Sequence, residues 1–186
     1  MSAKLEFMRS ALKNTATMPD DRPIGLPGAF YTSTEFFEHE RTGILHDGWH
    51  CLGRVDEIPN SGDFFTSQLL GEPLLVVRGN DGVIRVLSNV CRHRSMPVAE
   101  GRGNRKLFVC SYHAWSYGRD GALVRAPNMF NASFDQSKCG LPQLRSEVWR
   151  GFIYVSLNDD ATPLAPQLMP LDHMIEDYET ESFRIV

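Results

Sequence analysis

The sequence predicts a mainly β chain: a small antiparallel sandwich or barrel, with one helix before it and a short helix after it. Three observations carry this. Seven short runs of β-type residues fall between Trp49 and Leu157. Turn signals, foremost Asn80-Asp81-Gly82 and Arg119-Asp120-Gly121, separate them at short intervals. No strand–helix–strand alternation is visible, which argues against a nucleotide-binding doubly wound sheet.

Taken in order, the first thirty residues read as loop, because Pro19, Pro23, Gly25, Pro27 and Gly28 interrupt any regular element. Thr32 and Glu35 then form a T-x-x-E capping box, with Tyr31 and Phe36 placed for a hydrophobic staple. A helix is expected over residues 33–45, ending near Gly48. Strands are expected at residues 49–55, 64–70, 74–78, 83–88, 106–110, 123–125 and 152–157. Beyond Asn158 an acidic stretch with prolines reads as a linker. Leu171, Met174, Ile175 and Tyr178 then share one face at i, i+3, i+4 and i+7, predicting a short amphipathic helix. Pro170 suits its first turn, and Asp172 suits its positive end. Residues 182–186 read as the beginning of a strand.

Composition narrows the class. The 186 residues are 42% hydrophobic and 23% charged, enough apolar material for a core. The longest apolar runs, among them residues 74–77, are far short of a membrane helix. Lys4, Glu6, Arg9 and Lys13 interrupt the N-terminus, so no secretory signal is read there. Four cysteines are too few for a disulfide scaffold, and a reducing, cytoplasmic setting is expected. The net charge of −4 conceals an asymmetry. From Arg78 to Arg125 there are nine Lys or Arg against three Asp or Glu, while residues 159–183 hold seven acids and no Lys or Arg. A basic middle in an acidic chain points to an anionic partner or centre there.

The chemistry-bearing pattern lies in that middle. Cys91-Arg92-His93 and Cys110-Ser111-Tyr112-His113 form C-x-H, sixteen residues, then C-x-x-H. Each half is expected on a loop after a strand, so that two loops can present two thiolates and two imidazoles to one centre. Structural zinc sites usually space cysteines and histidines in separate pairs. A mixed pair on each loop suits a two-iron cluster instead, and two imidazoles in place of two thiolates raise its potential to roughly −150 to +300 mV. A zinc-bound interaction module remains the alternative at this point. His46 and His50 read as structural, because Gly48 and Trp49 end the helix between them. His39 and His173 read as surface residues, and Cys51 and Cys139 as free buried thiols.

C-x-H-R followed by C-x-Y-H-x-W resembles the Rieske signature of Rieske non-haem iron oxygenases, in their large (alpha) subunits. Trp49, Gly62-Asp63, Val77-Arg78, Asp81-Gly82, Asn89-Val90, Gly121 and Trp149-Arg150-Gly151-Phe152 agree with that pattern. The resemblance implies a 2Fe-2S cluster with Cys91 and Cys110 on one iron and His93 and His113 on the other, and Trp115 packed beside it. It also implies a division into an N-terminal extension with a helix (1–46), the Rieske 2Fe-2S domain (47–158), and a linker leading into a catalytic domain (159–186). The chain departs from the family pattern at Ser95, where glycine is usual, and at Ser111, where proline is usual. The Ser111 hydroxyl is expected to donate to a sulfur and raise the potential.

By the same resemblance, the expected activity is electron transfer within a ring-hydroxylating oxygenase. Electrons come from a ferredoxin or flavin reductase and pass to a mononuclear non-haem Fe(II), which activates O2. No pair of the six histidines is five apart, as the motif of that second iron requires, so the Fe(II) site and the catalytic domain are expected outside this sequence. A trimer-like homo-oligomeric ring is expected as the assembly, with neither nucleic acid nor membrane as partner. A stand-alone Rieske-type ferredoxin is the alternative function. The respiratory Rieske branch is disfavoured, because Met96 and Tyr112 stand where it has two further cysteines.

Overall fold

The computed structural model describes residues 3–19, 24–129 and 133–185, so the expectation for Pro23 lies outside the described residues. The chain divides into two compact units, Met1–Asp47 and Gly48–Val186.

Among its described residues the first unit opens on a helix, which corrects the expectation of loop for residues 3–16. Helix α1 spans Ala3–Ala16. Its Leu5, Met8 and Ala11 recur at helical spacing, and Met8 is fully buried against Phe30 and Phe36. The prolines that suggested loop all lie beyond it. A single turn, α2 (Ala29–Thr32), precedes α3 (Thr34–Glu40). The cap of α3 is Ser33, whose hydroxyl accepts the Phe36 N–H at 3.3 Å. Thr32 does not cap; its hydroxyl donates to the Gly28 carbonyl within the preceding turn. Tyr31 makes no staple, being 74% exposed, and Phe36 packs edge-on against Phe30 at 4.9 Å instead. Residues Arg41–Leu45 continue as a π-helical turn around Gly43.

The second unit is the expected antiparallel β body. Its strands are β1 (His50–Arg54), β2 (Asp63–Leu69), β3 (Glu72–Arg78), β4 (Ile84–Ser88), β5 (Arg102–Asn104), β6 (Phe108–Val109), β7 (Ser116–Tyr117), β8 (Leu123–Arg125), β9 (Gln143–Trp149) and β10 (Phe152–Ser156). Seven form one curled sheet in the order β1-β10-β9-β4-β3-β2-β5, and β6-β7-β8 form a small second sheet. All seven expected strands are present. Three more were not foreseen: β5 and β7 are too short to show a pattern, and β9 interrupts its apolar residues with Arg145 and Glu147.

The apolar run at 74–77 explains how the layers stack. These four residues are 0–1% exposed, so β3 is covered on both faces. Successive side chains point to opposite faces of a strand. Leu75 and Val77 therefore enter one core with Leu87, Phe108, Trp115 and Tyr117, while Leu74 and Val76 enter the other with Phe65, Val86, Ile153 and Val155. Each such side chain contributes about 1.5–3 kcal/mol by leaving water. The first core joins the large sheet to the small one and contains Cys91 and Cys110. Both expected hairpin turns form: Gly79 N–H donates to Val83 O at 2.8 Å, and Gly118 N–H to Ala122 O at 2.8 Å.

The C-terminal part differs from expectation in two places. Helix α4 spans Leu164–Ile175, so Pro170 lies inside it rather than at its start. Pro163 supplies the N-cap position, and the Leu164 N–H is accepted by Glu147 Oε2 at 3.0 Å. Residues 183–185 form no strand; a 3-10 turn (Thr180–Ser182) leads into them, and Val186 lies outside the described residues. Among the described residues, no helix is long and apolar enough to cross a membrane.

Candidate metal centre

Two loops of the second unit share one hydrogen-bonding plan. In the first, on the β4–β5 connection, Cys91 N–H donates to Met96 O at 2.8 Å, and Ser95 N–H donates back to Cys91 O at 3.0 Å. In the second, between β6 and β7, Cys110 N–H donates to Trp115 O at 2.8 Å, and Ala114 N–H to Cys110 O at 3.0 Å. Asn89 anchors the first loop. Its buried amide donates to Ala99 O at 2.9 Å and accepts from the N–H groups of Ala99 and Val98 at 3.0 and 3.2 Å.

The fifth residue of each loop sits in the left-handed region, Ser95 at φ 52° and Ala114 at φ 58°. A side chain there crowds the following carbonyl and costs roughly 1–2 kcal/mol per residue, which glycine avoids. Ser95 is the position where the family pattern has glycine, and the positive φ is the physical reason. Ser95→Gly and Ala114→Gly are each expected to raise the stability of the metal-free protein by up to about 1 kcal/mol, after allowing for glycine's freer unfolded chain. Equal urea midpoints for parent and variants would refute this.

The plan brings all four predicted residues together, as two pairs. Cys91 and Cys110 are buried side by side in one core. The His93 and His113 rings stand edge to face, with centroids 4.6 Å apart. Nδ1 of both histidines is buried and has no hydrogen-bond partner. An orphaned buried nitrogen is costly unless something else accepts its lone pair or proton. Among the described residues, no three of His, Cys, Asp or Glu converge on a single ion. Two pairs with two unsatisfied nitrogens fit a two-iron cluster, which takes one pair on each iron.

Packing and hydrogen bonds hold these groups in place. Trp115, 3% exposed, lies parallel to the His93 ring at 4.8 Å and 8°, with Phe134 edge-on behind it at 5.6 Å. Tyr112 covers His113 at 3.9 Å but is itself 55% exposed. The residue that sequence reasoning missed is Tyr117. Its Oη accepts the Arg92 N–H at 2.9 Å and stands 3.3 Å from Cys91 Sγ. With that lone pair engaged, the hydroxyl proton is free to point at the sulfur. Only the loop geometry could reveal this, since Tyr117 lies 26 residues from Cys91 and outside the motif. The expected sulfur donor, Ser111, is exposed at the surface, and Tyr117 takes that place.

Electrostatics favours ligation. Burial pushes the Cys91 thiol up, but hydrogen bonds from Tyr117, the His93 N–H, Cys110 and the Arg94 N–H outweigh it, and its pKa lies below the usual thiol value. The thiolate is the form that binds metal. Burial, with the neighbouring His93 and Arg94, holds His113 below the usual imidazole value, so its ring stays neutral.

Five of the nine cations of the basic middle fall into two kinds. Arg78 holds the Ile58 and Gly82 carbonyls, Arg85 pairs with Asp81 at 2.7 Å, and Arg119 binds the Arg105 carbonyl; these are structural. Arg92 and Arg94 are exposed on the first loop itself. Arg92→Gln and Arg94→Gln are each expected to lower the midpoint potential of the loaded protein, because a cation nearby favours the more negative reduced state. An unchanged voltammogram would refute this.

The remaining candidates lie elsewhere. His39 is exposed, His46 contacts Asp47 at 3.1 Å, His50 lies in β1 opposite Val155, and His173 is 85% exposed. Cys51 is exposed rather than buried, because it faces outward on β1. Cys139 is half-buried against the core that contains Cys91 and Cys110.

Comparison with known proteins agrees with this geometry. The profile of the Rieske [2Fe-2S] domain family matches residues 48–143. The carnitine monooxygenase oxygenase subunit of Escherichia coli (strain K12) is 37% identical over 145 residues, covering 77% of this chain and 39% of that protein. A quaternary ammonium Rieske monooxygenase, whose structure gave insights into carnitine oxidation and inter-subunit electron transfer, superposes with a TM-score of 0.77. It is 33% identical, over 81% of this chain and 42% of its own. Naphthalene 1,2-dioxygenase from Rhodococcus sp. superposes with a TM-score of 0.85 at 28% identity, over 94% of this chain and 40% of its own. The chain thus spans about two-fifths of the length of the curated relatives it matches. With the paired loops and the family profile in agreement, the chain belongs to the Rieske [2Fe-2S] domain family and, within it, to the Rieske non-haem iron oxygenases.

Proposed function

We propose that Cys91 and Cys110 hold one iron of a [2Fe-2S] cluster and His93 and His113 the other, each histidine through Nδ1. The observation that carries this is the pair of buried, unpartnered Nδ1 atoms beside two buried thiols. When bound, the cluster supplies a one-electron store. The chain's own residues do the rest. Tyr117 donates a hydrogen bond to the Cys91 sulfur, which stabilises added negative charge. Trp115 and Phe134 exclude water from the His93 side. Arg92 and Arg94 raise the local positive potential at the first loop.

The chain is further proposed to act as the electron-transfer part of an oxygenase. It would take single electrons from a ferredoxin or flavin reductase and pass them to a mononuclear non-haem iron held by additional polypeptide, across a subunit interface of a homo-oligomer. Monooxygenation of a quaternary ammonium compound is the favoured reaction, supported by the 37% identity to the carnitine enzyme subunit. Ring hydroxylation is the second reading, supported by the wide structural match to naphthalene 1,2-dioxygenase.

The purified chain tests the first part. About two iron atoms and two acid-labile sulfides per chain, with a Rieske-type EPR signal after reduction, are expected. Zinc without sulfide would overturn it. Carnitine and naphthalene offered to the complete oxygenase with its reductase would separate the two substrate classes.

A further inference from the structure

Residues 180–185 are fastened to the sheet rather than trailing from it. Arg54, at the end of β1, donates from Nη2 to the carbonyls of Thr180 and Phe183, both at 2.9 Å. Its Nε donates to Asp56 Oδ1 at 2.8 Å, and Asp56 Oδ2 accepts the backbone N–H of Ile185 at 2.8 Å. The Arg54 and Asp56 side chains are 11% and 10% exposed, and the Phe152 ring lies 4.7 Å from the guanidinium. Charge-assisted bonds shielded in this way are stronger than those in open water.

A second arginine grips the same segment. The Arg150 carbonyl accepts from Thr180 Oγ1 at 3.2 Å, and its guanidinium binds Asp172 of α4 at 2.8 Å and approaches Glu181 at 3.9 Å. Arg150 and Gly151 form the β9–β10 turn, both with positive φ, 46° and 81°. A Cβ on Gly151 would stand 3.3 Å from Arg54 Nη2 and 3.4 Å from Glu181 Cα. The Trp149-Arg150-Gly151-Phe152 motif has no part in the metal centre, and the segment lies directly on it.

We propose that Arg54, with Asp56 and the Arg150-Gly151 turn, is a positioning device that bolts residues 180–185 to the cluster-bearing sheet and so fixes where the rest of an oxygenase subunit stands relative to the metal centre. The proposal rests on the reading above, that electrons leave this unit for an iron held elsewhere. Electron transfer slows steeply with distance, so a loose joint here would spread the rate over many geometries. Arg54 and Asp56 grip main-chain groups, so their part of the hold does not depend on the segment's side chains. The Ile185 N–H and Arg54 hold the Asp56 carboxyl below the usual carboxylate range, so it is ionised near neutral pH. Its pKa is depressed by folding, so this contribution is lost only as pH falls through the lowered value.

The test uses this chain with Cys51 and Cys139 replaced by serine and a nitroxide on Ile185→Cys. Pulsed EPR between the reduced centre and the label is expected to give one narrow distance in the parent and a broad distribution in Arg54→Ala. Hydrogen exchange of the Ile185 amide, which needs no cluster, is expected to quicken at least about tenfold in Arg54→Ala and in the gentler Asp56→Asn. The midpoint potential should be unchanged in both. A broad distance in the parent, or unchanged exchange in both variants, would overturn the proposal, as would a shifted potential, which means a general disturbance of the sheet. A chain without iron would defeat the cluster reading, and exchange would still judge the positioning device.

Discussion

In His93→Ala the chain is expected to fold and to accept no electron from a reductase or ferredoxin. His93 belongs to neither β core, so removing its ring leaves the apolar layers intact. What is lost is one of the two buried imidazole nitrogens beside the thiol pair and the ring on which Trp115 lies. An iron with one imidazole missing is open to water and thiols, and the cluster should be lost as a whole. Iron and labile sulfide are expected to fall from about two each per chain to near zero, with the far-UV circular dichroism unchanged. Normal electron uptake by this variant would refute the assignment of His93.

Tyr117→Phe has the second largest expected effect, in two measurable quantities. The half-buried Arg92 N–H loses its acceptor, which costs up to about 1–3 kcal/mol of stability. The Cys91 sulfur loses a donor that favours the reduced, more negative state, so the midpoint potential should fall. If the hydrogen bond differs between oxidation states by about 1 kcal/mol, the shift for one electron is about 40 mV. Denaturation in urea reads the first effect and voltammetry the second. A variant that is less stable but has an unmoved potential would show Tyr117 to be only a structural residue.

Much of the site was legible because it is local in sequence. C-x-H and C-x-x-H each lie on one tight loop, so spacing alone predicts which side chains emerge together. The strands were legible where apolar residues alternate or run continuously, as at 74–77. The errors share a different cause. Helix α1 was obscured because its three core residues meet partners at least 15 positions away, beyond the first of the prolines. The cap of α3 differed by one residue because Ser33 and Thr32 are chemically equivalent and only the preceding turn decides which hydroxyl is free. Residues 182–186 carried a strand's composition, yet no strand edge receives residues 183–185; Arg54 and Asp56 take up their backbone groups instead.

The sequence by itself determined the fold class and placed the four candidate ligands on two loops, because short-range periodicity and spacing are enough to specify strands and turns. Only the tertiary structure decided which hydroxyl reaches the sulfur, which aromatic ring lies on which imidazole, which arginines stay exposed at the centre, and where residues 180–185 are held. Each of those depends on groups tens to more than a hundred residues apart, brought together by the curl of the sheet, and no local pattern encodes that distance.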